Sequence, residues 1–100
     1  MRKDRDFKSN KAWEDFLRYN DIFGTAMKIE MLTKYNANIH YYPGDKRLKV
    51  EVFDRHTFWP QTRHIRMFDF DLSNKERADE TEENLAMLLR RTLEEEGELL

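Results

Sequence analysis

The run "NIHYYPGDKRLKVEVFD", Asn38 to Asp54, restricts the fold more than any other part of the chain. Leu48, Val50 and Val52 alternate with Lys49 and Glu51, the period of two that marks a strand with one buried face. Pro43 followed by Gly44 supplies the backbone angles of a type II turn, with glycine in the left-handed position. The spacing predicts an antiparallel hairpin, and a lone hairpin is at best marginally stable in water. The flanking segments must therefore cover its apolar face.

They have the patterns to do so. "RHIRMFDFDL", residues 63–72, reads as a third strand of awkward phase. Ile65 and Met67 fall on one side, Phe68, Phe70 and Leu72 on the other, which calls for a bulge near Met67 and Phe68 or for cover on both faces. Ser9 or Asn10 suits a helix N-cap, with Glu14 and Asp15 in the first turn to complement the helix dipole. Trp13, Phe16, Leu17 and Phe23 recur at helical spacing and predict one buried face. Asn20, Asp21 and Gly24 are poor helix formers, so a kink or break is expected over 20–24. "TAMKIEMLTKYN" alternates like a strand, but its residue types favour helix, and helix is the reading taken. "KYNAN" then reads as the helix end, with asparagine in the left-handed cap.

The last element opens on "SNKE", Ser73 to Glu76, which matches a capping box led by serine. A helix to about Glu96 follows, stopped by Gly97. Its apolar positions, Leu85, Ala86, Leu88, Leu89 and Leu93, come late, so the first turns are expected to be solvated. The expected class is α+β in the order αβββα: a three-stranded antiparallel sheet with helices packed on one face. Residues 1–100 read as a single domain, with 1–8 a flexible N-terminal tail. The order resembles that of the double-stranded-RNA-binding domain. That resemblance implies a basic start to the last helix, where this chain has "NKERADETEEN", so no function is carried over from it.

Composition narrows the chemistry. The absence of cysteine excludes disulfides, thiolate metal sites and cysteine nucleophiles. "MRKDRDFKSNK" holds no apolar core of a secretory signal, and the longest aliphatic run is "LAMLL", so a cytoplasmic protein without a membrane span is expected. Ser9 and Ser73 both suit helix caps, and the three glycines are too scattered for a phosphate loop. His40, His56 and His64 with Asp54, Asp69 and Asp71 are chemically suitable metal ligands, but their spacing matches no known ligand pattern. No catalytic residue, metal or cofactor is assigned. A metal-dependent nuclease stands only as a weak third reading.

The most distinctive stretch is "DRHTFWPQTRHIR", residues 54–66. Arg55, His56, Phe58, Trp59, Arg63 and Arg66 supply residue types that dominate binding hot spots, which predicts a protein-binding surface. The competing reading folds Trp59 back into the core. The same cluster supports a second function: Lys46, Arg47, Lys49, Arg55, Arg63 and Arg66 would form a basic strip for nucleic acid, although the sequence pI of about 5.9 is low for that role. Charge is also unevenly spread. Residues 1–67 hold 14 Lys/Arg against 9 Asp/Glu, and residues 68–100 hold 4 against 11. The acidic last helix is either solvating charge or a surface that occupies a basic groove on a partner. The leading expectation is a small non-enzymatic regulator or inhibitor that binds another protein. In size and charge it resembles those carried by bacteriophages and mobile elements. An uncovered sheet edge leaves a homodimer open.

Overall fold

The computed structural model describes residues 8–54 and 64–96. Helix α1 (Asn10–Leu32) is followed by strands β1 (Tyr35–Tyr42), β2 (Arg47–Asp54) and β3 (His64–Asp71) and by helix α2 (Lys75–Glu95). The sheet is antiparallel with β2 in the centre, and the α+β order αβββα is the expected one. α1 packs on β1, α2 on β3, and the helices pack on each other, so both cover one sheet face. Among the described residues no helix is long and apolar enough to cross a membrane.

The hairpin pattern decides what is buried. Leu48, Val50 and Val52 point at the helices and are wholly buried, while Lys49 and Glu51 lie on the opposite face. Ile22 and Ile29 of α1, Phe70 and Leu72 of the third strand and its exit, and Ala78, Leu85 and Leu88 of α2 close the same core.

β3 settles its phase by a bulge, but not where the sequence suggested. The register runs unbroken from Arg47↔Asp71 to Val52↔Arg66 and then steps to Phe53↔His64. Ile65 is the extra residue, and it packs against the core. Met67 takes the helix-free face and is exposed.

Several local expectations are corrected. α1 is continuous through Asn20, Asp21 and Gly24, without a kink. Burial of Ile22, Ala26 and Ile29 along one stripe outweighs the weak propensities of the neighbours. A Cβ at Gly24 would meet nothing within 4 Å. Gly24→Ala should therefore stabilise the domain by about 0.5–1 kcal/mol, the interior helix preference of alanine over glycine, read as a raised midpoint in urea with unchanged slope.

The end of α1 lies at Leu32, capped by Thr33 in an extended conformation, and both asparagines of "KYNAN" belong to β1. Glu14 and Asp15 fall outside the first turn, and Asp15 is instead buried. In the hairpin turn the left-handed residue is Lys46 (φ 54°), not Gly44, and the N–H of Lys46 donates to the Pro43 carbonyl at 3.4 Å. The loop is thus longer than the two-residue type II form and closes on Lys46. The cap of α2 is Asn74, whose Oδ1 accepts the Arg77 N–H at 3.2 Å. Ser73 turns back instead: its N–H and Oγ both donate to Asp71 Oδ1 at 2.8 Å and hold that carboxyl below its usual range. The early turns of α2 are not all solvated, because Ala78 and Thr81 are buried, and Thr81 Oγ1 donates back to the Arg77 carbonyl.

Between the helices Thr25 Oγ1 lies 2.7 Å from Glu82 Oε1 and 3.2 Å from the Asp21 carbonyl oxygen. Glu82 Oε2 is buried without a hydrogen-bond partner. Burial, opposed by the Thr25 bond and reinforced by Asp21, raises the Glu82 carboxyl above its usual range. Thr25 donates to Oε1 and leaves the buried Oε2 bare, so one charged oxygen is desolvated without compensation. A raised folded-state value means the folded chain binds the proton more tightly. Stability is therefore highest below the unfolded carboxyl value and falls as pH rises through the folded one. Glu82→Gln should flatten this dependence and raise the melting temperature at neutral pH but not at pH 4. Parallel melting curves of the two proteins across that interval check it.

Candidate functional site

Two sets of apolar residues run along α1. One set, Ile22, Ala26 and Ile29, is in the core. The other, Tyr19, Phe23 and Met27, is spaced four apart and forms the flank on the β1 side. Tyr19 stacks on Phe23 at 5.7 Å between ring centroids and meets Tyr41 of β1 edge-on at 6.1 Å. The opposite flank carries Thr25 and its bond to α2. Phe23, Met27 and Tyr41 remain 37%, 40% and 43% exposed, and Phe16 a similar 38%. The expectation that Phe16 and Phe23 face the core is thereby corrected. Aliphatic residues already fill the core, so the aromatics are displaced to its rim.

The flank opens into an apolar cleft of about 370 Å³ beside the hairpin, lined by Ala12, Asp15, Phe16, Tyr19, Tyr41, Lys46 and Leu72. Its polar wall is tightly built. Arg18 Nη2 donates to Asp15 Oδ1 at 2.7 Å, Arg18 Nε donates to the Leu72 carbonyl at 3.2 Å, and Lys11 Nζ stands 4.0 Å from the same carboxylate. Lys46 is the exposed cation on the rim. The volume lies within the range of pockets that take a small ligand or an anchoring side chain, and the lining favours an apolar one.

The helix-free sheet face is chemically different. Arg47 grips Asp69 with two bonds, Nε to Oδ1 at 3.0 Å and Nη2 to Oδ2 at 2.8 Å. Lys49 Nζ and His40 Nε2 lie 4.0 Å and 3.4 Å from Glu51 Oε1. Cations and carboxylates thus alternate across this face.

Arg55, His56, Phe58, Trp59 and Arg63, the heart of the hot-spot reading, lie outside the described residues. Arg66 is described: it is exposed, sits opposite Val52, and donates to the Ile65 carbonyl at 2.9 Å. Of the basic strip, Lys46 borders the cleft on the helix side, whereas Arg47 and Lys49 stand on the opposite face beside carboxylates. The three are not brought together on one surface. Among the described residues no group of three or more His, Asp or Glu is placed to hold a metal ion. Sequence reasoning missed the Tyr19–Phe23–Met27 flank and its junction with Tyr41. The signal was legible as a second apolar stripe on one helix, since a single sheet can bury only one of them.

The chain matches no family model, no curated protein and no solved structure.

Proposed function

We propose that the chain is a small non-enzymatic protein-binding module, a regulator or inhibitor that holds another polypeptide. The observation that carries this reading is the exposed flank of Phe23, Met27 and Tyr41 continuous with the apolar cleft. Aromatics and methionine concentrate at the cores of protein interfaces, and a cleft takes an anchoring side chain from the partner. The loop residues Phe58 and Trp59 remain part of the proposal as a second anchor. The nucleic-acid reading has less support, because the Arg47 guanidinium is already engaged by Asp69.

Affinity capture from native lysate with the wild-type chain, with Phe23→Ser/Tyr41→Ser and with Phe58→Ala/Trp59→Ala tests the reading. A protein retained by the wild type and released at least tenfold by either pair, with melting temperatures unchanged, is the expected result. Capture that is indifferent to both pairs would count against it. Tight binding of the wild type to single-stranded or duplex nucleic acid that weakens steeply with added salt would replace it with the nucleic-acid reading.

A further inference from the structure

We propose that the partner is held as an extended segment added to the open edge of β1, with three apolar side chains at alternate positions packing against the exposed α1 flank. This rests on the protein-binding reading and specifies its mode.

The two outer strands differ in how they guard their edges. β3 carries Arg66, Asp69 and Asp71 and has the bulge at Ile65, both devices that discourage pairing with another chain. β1, "YNANIHYY", has no proline, no bulge and no Lys, Arg, Asp or Glu. Its inner side pairs with β2 along its whole length, and among the described residues no strand lies on its outer side. From Ala37 to Tyr42 the main-chain N–H and C=O groups on that side are the template that strand addition uses.

The side chains above the edge are in step with such a strand. α1 returns to β1 through Thr33 and Lys34, so helix and strand run antiparallel. From the Tyr19–Tyr41 contact, two strand residues advance about 6.6 Å. Four helix residues advance about 6 Å. Phe23 thus stands level with Ile39, and Met27 with Ala37. An added strand places its helix-side residues two apart, so three consecutive ones meet Tyr41 with Tyr19, Ile39 with Phe23, and Ala37 with Met27. The small Ala37 leaves room for the bulkiest of the three. Lys46 borders the cleft beyond Tyr41, where it faces Asp71 and adds a longer-range attraction for an acidic end of the incoming segment.

A second copy does not fit the same edge. Edge-to-edge pairing sets β1 and its copy about 4.8 Å apart. Because α1 packs on β1, the two copies of α1 would stand side by side over the new strand pair and crowd the strip that the exposed Phe23 and Met27 border. A segment with no helix above it avoids that crowding.

The test is a selection of ten-residue peptides from a random display library against the whole chain, with the best peptide resynthesised in plain form and with alternate amides N-methylated. Three apolar residues at alternate positions beside an Asp or Glu are expected. So is at least tenfold weaker binding of the methylated form that would point its methyl groups at β1. Amide exchange should slow at alternate residues within 37–42, and the folded Phe23→Ser chain should bind the plain peptide several-fold more weakly. Peptides that leave exchange over 37–42 unchanged, indifference to methylation in both alternations, an empty selection, or a β1-mediated dimer would overturn strand addition. Should lysate capture succeed while β1 exchange stays unchanged, only the mode falls and the protein-binding reading stands.

Discussion

Leu85→Ala is expected to cost the domain about 3–4 kcal/mol, the upper half of the range for a leucine removed from a core that cannot collapse into the gap. Leu85 has no exposed surface and sits on α2 in the cluster that also contains Leu48, Val50, Val52, Ile22 and Ile29. Those residues come from separate elements, each held by its own backbone bonds, so none can move far to fill the void. In a domain of this length each kcal/mol shifts the melting temperature by about 4–8 °C, so a fall of roughly 15–25 °C should be seen. Met87→Ala, at an exposed position two residues along the same helix, is the control and should lie within about 0.5 kcal/mol of the wild type.

The second large effect concerns the cleft wall. Arg18→Met should destabilise the fold by about 2–3 kcal/mol, because it leaves the buried Asp15 carboxylate without its 2.7 Å partner. It also removes the bond to the Leu72 carbonyl that ties α1 to the turn before α2. Lys11, 4.0 Å from the same carboxylate, keeps the loss below that of a fully isolated buried charge. Pairing the change with Asp15→Leu should recover most of the stability, since an apolar pair no longer demands a counter-charge. Urea denaturation of the two single variants and the double variant gives the coupling directly. A double variant as unstable as the worse single one would mean that the pair shapes the cleft chiefly through packing.

Much of the fold was legible because it depends on periodicity. The alternation at Leu48, Val50 and Val52 specified a half-buried strand, and burial of those residues follows from it. Details set by competition between neighbouring groups were harder. Ser73 and Asn74 both suit an N-cap, and Ser73 lost that role because Asp71 accepts both of its donors. Lys46 rather than Gly44 took the left-handed angle because the turn closes on Pro43 and Lys46, a choice of loop length that residue preferences alone do not make. Gly24 looked like a breaker, yet tertiary burial of Ile22 and Ala26 carries the helix through it.

The candidate site was legible only in part. Aromatic residues on α1 were visible in the sequence, but their helical spacing suits a core face and a binding flank equally. Which face is buried depends on what already fills the space, and that is set by residues more than twenty positions away. Part of the charge strip was dispersed for a related reason. Lys46, Arg47 and Lys49 are neighbours in sequence, and alternation along the strand sends them to different faces. The loop Arg55 to Arg63 lies outside the described residues, and Phe58 and Trp59 belong to the proposed binding surface.

Oxidative footprinting of Met27 and Met87, with and without a captured partner, bears most directly on the binding surface. Met27 lies on the α1 flank and Met87 on the far helix, both open to solvent in the free chain. Binding along the flank predicts that Met27 oxidation slows several-fold while Met87 keeps its free rate. Protection of Met87 with Met27 unchanged would contradict the account.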